Sequence, residues 1–385
     1  MTSRTTTLMG PRVLGEPAGE YRVELARGVA EIDRDLWNDV VRRGDGAVFH
    51  AWEWLAAFEE APPGVFEPAH LLAYSGDELV GVCPAYLVHE CPRLDYAMSL
   101  GAPAALRGTG PVLLAHSLAG LRGGPLALPG HRNAARALVA GLERAASALD
   151  AWAWGIANAP ADGLAGWLLG QGYAAAHMTT AYQLDTTFST PGEYWNTLPG
   201  RRRRKLWREQ RQRAEGLVIA ESPPDADTMV RLTHALLHEH GTPVDVFPEG
   251  YLRALRRHLR AYERTIVAAD ETGEVLAMFA GWQFGSEWSL WIAGLQTARY
   301  SSFEPYHSML AHTIEAAIRS DTRVLNLGRG NAPIKRRYGT VGTPLFLVVK
   351  AADRRHDALL HAWCRVLEVR GQGSPDGLEV VSRCC

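Results

Sequence analysis

Two stretches of this 385-residue chain are written to one plan, and that constrains the fold more than any other feature. Residues 71–88 read LLAYSGDELVGVCPAYLV, and residues 266–284 read IVAADETGEVLAMFAGWQF. Each is an apolar run, a turn of acidic residues and glycine, and a second apolar run, the pattern of two strands joined by a tight connection. An aromatic-bearing helix, opening at Val48-Phe49 in the first case and Val246-Phe247 in the second, begins about thirty residues before each second strand. Two landmarks at one spacing are the mark of an internal repeat. The order helix, helix, strand, hairpin strand, strand, helix, strand, closing strand fits both halves. The expected fold class is therefore α/β: two tandem domains, each a mixed, mostly antiparallel twisted sheet flanked by helices. The length suits two domains, with a mobile tail over 1–20, domains over 21–185 and 186–372, and a second tail over 373–385. Leu79–Val88 reads as one strand, and the last strand reads as Phe346–Lys350.

Composition narrows the function classes. A hydrophobic share of 47% with 21% charged residues belongs to a folded chain. The net charge of -2 excludes a general polycation, so any contact with nucleic acid must come from a local patch. No run of eighteen apolar residues and no hydrophobic leader is present, which predicts a cytoplasmic protein without a membrane partner. The five cysteines, Cys83, Cys91, Cys364, Cys384 and Cys385, lack metal-ligand spacing and read as free thiols. His234 and His238 lack a convincing third ligand, so no metal is expected.

The chemistry concentrates in residues 322–340, TRVLNLGRGNAPIKRRYGT. An apolar strand ends at Gly328. Gly330 lets the backbone turn or approach a ligand, and a loop carrying Lys335, Arg336, Arg337 and Tyr338 follows. Of 40 cationic residues only Lys205, Lys335 and Lys350 are lysine, so a lysine in this loop stands out from an arginine background. Lys335 suits holding a phosphate and Tyr338 suits protonating a leaving oxygen or sulfur. Arg329 and Arg337 are further anion ligands, and Trp291, Asn326, Gly328 and Gly330 are expected to line a cleft. Glu304 and His307, three apart at a helix start, are candidates for the general base. A solvated basic loop is the alternative for the cations, and helix-end stabilisation for Glu304. Separately, Arg201–Arg213 forms a helix with eight cations against Glu209. Like charges at that density destabilise a free helix. Arg201, Arg202, Arg204, Lys205 and Arg208 are therefore candidate phosphate ligands, unless acidic residues elsewhere in the chain answer them.

Three of these patterns together resemble the tandem GCN5-related N-acetyltransferase (GNAT) fold, and within it the Fem-like acyltransferase group, which includes BioF2-like proteins. They are the basic helix LPGRRRRKLWREQRQR from Leu198, the strand pair Glu274–Phe284 and Leu290–Gly294, and the strand and loop Asn326–Gly339. The likeness spans most of residues 45–350. It implies amide formation: an amine attacks an acyl group held as a thioester on coenzyme A or, in the Fem-like branch, as an ester on transfer RNA. It further implies that the acyl group lies where the fourth and fifth strands splay, here Trp288–Gly294 and Val324–Gly328. One departure separates this chain from ordinary coenzyme A users. The segment expected to carry their glycine-rich pyrophosphate loop, Gln296–Pro305, contains no glycine.

The resulting expectation is an enzyme acylating a small-molecule or peptide amine. It has no tightly bound cofactor, and aminoacyl-tRNA or acyl-CoA serves as co-substrate. Aminoacyl-tRNA is the preferred donor. A catalytically silent GNAT-fold protein binding a nucleotide or peptide is the third reading. The acyl group, the acceptor and the oligomeric state are left open.

Overall fold

A computed structural model of the chain describes residues 11–14, 20–92, 94, 102–117, 119–213, 216–296 and 305–371. Its contacts divide into two units. The first comprises Met1–Leu94, Gly101–Ala175 and Leu347–Cys364, and the second Asp95–Leu100, Ala176–Phe346 and Arg365–Cys385. Both are mixed, mostly antiparallel α/β units.

The first unit contains strands β1 (Arg12–Val13), β2 (Arg22–Ala26), β3 (Val65–Pro68), β4 (His70–Ser75), β5 (Glu78–Cys83), β6 (Ala85–Glu90), β7 (Val112–Ala115), β8 (Leu126–Ala127) and β9 (Ala153–Pro160). One sheet runs β1-β2-β4-β5-β8, and β3, β6, β7 and β9 follow one another in a second. β7 and β9 pair in parallel. The stretch expected as a single strand over Leu79–Val88 is two strands in two sheets. Pro84 interrupts it because it has no N–H to give to a ladder, while its carbonyl accepts from the His116 amide at 2.7 Å. Helix Arg132–Ala148 packs its buried Leu138, Leu142 and Ala145 on the first sheet. Within the expected N-terminal tail, β1 pairs with β2. Residues 1–10, 15–19 and 372–385 lie outside the described residues.

The second unit contains β10 (Ala174–Asp185, from Ala176 onward), β11 (Val218–Glu221), β12 (Ile266–Ala269), β13 (Val275–Phe284), β14 (Glu287–Leu295), β15 (Val324–Asn326) and the first half of β16 (Val341–Ala351). Their order is β11-β12-β13-β14-β15-β10-β16. The β12–β13 turn is organised by Asp270, whose carboxylate accepts from the Thr272 and Glu274 amides at 3.0 and 3.1 Å. The β13–β14 hairpin turns at Gly285 with φ 58, a left-handed conformation that glycine adopts without strain. Helix Tyr306–Ile318 buries Met309, Leu310 and Ile314 in a core shared with Trp288, Leu290, Leu325 and Tyr338. The last strand starts at Val341, five residues before the expected Phe346. Its opening VGTP is mostly exposed and lacks the apolar alternation that marks a strand.

Candidate active site

The site begins where two parallel strands part. β14 and β15 pair only through Glu287↔Val324, Trp288↔Leu325 and Ser289↔Asn326. After Asn326 the chain changes partner: the Leu327 amide donates to the Tyr182 carbonyl of β10 at 2.8 Å, and the Tyr182 amide to the Gly328 carbonyl at 3.0 Å. Asn326 enforces the departure. Its Oδ1 accepts from the Gly328 amide at 3.0 Å and its Nδ2 donates to Glu287 Oε1 at 3.2 Å. Gly328 and Gly330 have φ of 70 and 71, which explains why both are glycine. Among the described residues, β14 from Leu290 onward has no strand on that side. The gap holds a cavity of ≈ 30 Å³, room for one or two water molecules. Its walls are apolar and aromatic, with Phe279, Leu290, Trp291, Tyr306 and Leu310, and one cation, Lys335.

Lys335 is 3% exposed. It lies in a six-residue helix, Ala332–Arg337, where a loop was expected; Pro333 is tolerated there because it falls in the first turn. Its ammonium donates to the Arg329 carbonyl at 2.5 Å and lies 5.8 Å from the centre of the Tyr182 ring. Trp291 is fixed edge-on to Phe247, ring centres 4.7 Å apart. Of the four expected cleft residues, Trp291 and Gly328 line the cavity, while Asn326 shapes the turn beside it and Gly330 sits further along that turn.

Tyr338 and His307 meet, and neither lines the cavity. The Tyr338 hydroxyl donates to the His307 carbonyl at 3.0 Å and lies 3.1 Å from His307 Nδ1, the rings stacked at 28°. With its proton committed to that carbonyl, the phenol oxygen is left to accept from Nδ1–H. Burial raises the Tyr338 pKa above its ordinary value. Tyr338 is thus held in the core, its hydroxyl bonded to His307. Glu209, the acid of the basic helix, completes the arrangement. Its carboxylate is 2.5 Å from Arg337 Nη2, 3.7 Å from His307 Nε2 and 4.0 Å from Lys205 Nζ. Arg337, expected to bind phosphate, is therefore already ion-paired. Arg329, expected likewise, is 1% exposed and out of reach of a surface phosphate. Glu304 lies outside the described residues, as does most of the Gln296–Pro305 segment. Sequence reasoning passed over Glu209 and Tyr182.

The basic helix, Gly200–Arg213, buries Leu206 and points Arg201, Arg202, Arg204, Lys205 and Arg208 to solvent. Arg201, Arg204, Lys205 and Arg208 fall at i, i+3, i+4 and i+7, one face of a helix. Among the described residues no carboxylate pairs with Arg201, Arg202, Arg204 or Arg208. Groups of three or more potential metal ligands are likewise absent among the described residues.

A sequence profile for the acetyltransferase (GNAT) domain matches residues 200–336, the stretch that carries the basic helix, the gap and Lys335. The chain carries a GNAT acyltransferase domain. The whole fold is a Fem-like tandem GNAT fold. It is similar to the crystal structure of FemX, with 12% identity, 82% of this chain and 96% of that one covered, and a TM-score of 0.59. It is also similar to the C-terminal domain of a lysylphosphatidylglycerol synthetase from Agrobacterium fabrum, with 14% identity, 88% and 97% covered, and a TM-score of 0.54. A tandem GNAT protein from the clavulanic acid biosynthesis pathway aligns with 13% identity, 86% and 99% covered, and a TM-score of 0.52. No curated protein matches the chain by sequence. Among the described residues, no helix is long and apolar enough to cross a membrane. The GNAT fold implies an acyl-CoA co-substrate and an amine acceptor.

Proposed function

We propose that this chain transfers an aminoacyl group from tRNA to the amine of a small molecule or peptide, in the gap between β14 and β15. The reading is carried by the solvent face of the GNAT domain's basic helix. Four arginines there have no internal counter-ion among the described residues, whereas Arg337 and Lys205 share Glu209. A row of unanswered cations favours a polyanion over a donor with few phosphates.

In this scheme the amine nitrogen attacks the ester carbonyl, and the carbon–oxygen bond to the ribose breaks. The amine gives up one proton and the ribose hydroxyl takes one. The backbone of β14 beyond Ser289 offers amides to the developing oxyanion. The Lys335 ammonium, in the cavity wall, is the charge we assign to the reacting oxygens. Tyr338, His307 and Glu209 are positioning groups. They tie helix Tyr306–Ile318, the Lys335 helix and the basic helix together behind the reacting carbon.

The test is tRNA affinity against salt. With roughly four phosphate contacts, raising salt from 50 to 200 mM should weaken binding by about two decades. Replacing Arg201, Arg204 and Arg208 with alanine should flatten that dependence. The second reading is an acyl-CoA donor, favoured by the acetyltransferase description of the matching profile. Thiol release from an acyl-CoA panel, with no measurable tRNA binding, would establish it instead.

A further inference from the structure

The basic helix carries one large apolar side chain on its outer side. Trp207 is 38% exposed, between Arg204 and Arg208 on a helix whose other exposed residues, among those described, are charged. Its ring is held in place. Arg203 lies 5.4 Å from the ring centre, and its own Nη1 is fixed to the Trp195 carbonyl at 3.1 Å and Asn196 Oδ1 at 2.7 Å. Buried Trp195 meets Trp207 edge-on, centres 6.2 Å apart. An aromatic plate rigid before binding loses little conformational freedom when a ligand lands on it.

We infer that Trp207 is a stacking platform for an unpaired base in the single-stranded 3′ end of an RNA, with Arg201, Arg204 and Arg208 gripping the phosphates around it. The inference rests on the RNA-donor reading and deepens it by naming which part of the RNA this face takes. A duplex would offer the cations its phosphates but leave the indole idle, because its bases are stacked inside. An unpaired base stacks on an aromatic face whatever its identity. The helix is also tied to the elements that carry the cavity. Two residues on, about 3 Å along the axis, Glu209 and Gln210 are bonded to Arg337 and Ser308, next to Tyr306 of the cavity wall.

The experiment compares two RNA hairpins of equal stem, one with a four-nucleotide 3′ overhang and one blunt, binding to the full chain at fixed salt. The parent should prefer the overhang by roughly tenfold or more. Trp207→Ala should erase that preference while leaving blunt-hairpin affinity within about twofold, and Trp207→Phe should restore most of it. Far-UV spectra of both variants verify the helix. Equal binding of both hairpins by the parent, or an overhang preference that survives Trp207→Ala, overturns the platform while leaving an RNA donor standing. No binding of either hairpin overturns both. Tighter binding of coenzyme A by the parent than by Trp207→Ala, without RNA binding, assigns the ring to the adenine of that donor instead.

Discussion

Lowering the pH from 7.5 to 4.5 should destabilise the first unit through a pair of buried histidines. His116 Nε2–H donates to the Phe49 carbonyl, and its Nδ1 accepts from the Ser117 amide at 2.7 Å. Both ring nitrogens are engaged in a way that only the neutral tautomer allows, and burial moves the pKa from 6.5 down to about 4. His50 lies against it with ring centres 5.4 Å apart, and among the described residues neither of its ring nitrogens has a hydrogen-bond partner. Burial also holds its pKa well below the ordinary value, with His116 and Arg122 adding to the effect. For a histidine depressed on folding, the unfolded chain binds the extra proton, so stability is intact above about 6.5 and falls as pH drops toward the folded value. For His116 alone, the difference between pH 7.5 and 4.5 is about 2.5 kcal/mol. His50 adds a loss of the same sign. Urea midpoints across this range, with unchanged m-values, measure the total. Carboxylates titrate over part of the same window, so the decisive quantity is the difference from His116→Gln, whose amide N–H can still reach the Phe49 carbonyl. That variant should lose about 2.5 kcal/mol less than the parent over the range. Identical pH profiles for parent and variant would refute a neutral, proton-excluding His116.

Three further outcomes follow from distances at other sites. Lys335→Met should lower turnover by about 10²-fold or more, the usual loss when one transition-state electrostatic contact is removed, with a cooperative urea transition retained. Tyr338→Phe should mainly cost stability, about 1–3 kcal/mol for leaving the buried His307 carbonyl without its donor, and keep turnover within about tenfold; a turnover loss as large as that of Lys335→Met at unchanged stability would return Tyr338 to the proton-donor role. Gly155→Ala in β9 should destabilise by about 2 kcal/mol or more, because its Cβ would fall 2.1 Å from the Val348 carbonyl oxygen. Gly163→Ala, where a Cβ meets nothing within 4 Å, is the neutral control, and equal unfolding midpoints for the two would contradict the close approach.

What could be read from the chain, and what could not, follows from how far apart the interacting residues lie. The β12–β13 hairpin was readable because Asp270 and Gly273 make their turn locally. The end of β15 was readable because an apolar run stopping at glycine has few other meanings. Glu209 was not: one acid among eight cations carries no signal until His307 and Arg337 arrive from about a hundred residues away. Tyr182 was hidden in the same way, as an ordinary apolar position of a long strand until Lys335 is set against its ring. Tyr338 was placed in the right neighbourhood but on the wrong side of it. Position after a strand end says nothing about which way a side chain points, and the phenol turned toward the core.

The first unit contains the same strand geometry, used differently. In the first unit β7 and β9 also run parallel and stop pairing at Ala115↔Ile156. There the space beyond the last pair is taken by the unit's own loop. The Gly123 amide donates to the Asn158 carbonyl at 3.1 Å, and Asn158 Nδ2 donates to the Gly120 carbonyl at 3.0 Å. The packing at Gly123 admits no side chain, since a Cβ would lie 2.1 Å from the Ala157 carbonyl oxygen. His116, just after β7, and Asn158, in β9 two residues past the last pair, both take left-handed φ of 70 and 56, a conformation unfavourable for a residue with a side chain. Such strain persists only where the surroundings over-determine it, and here the hydrogen bonds of the inserted loop do so. The second unit meets the same geometric problem with two glycines and a change of strand partner, and among the described residues no strand fills the gap beside its buried lysine. A parted pair of parallel strands is therefore a feature of both halves. What distinguishes the candidate active site is that, among the described residues, the chain changes strand partner at the gap instead of packing into it.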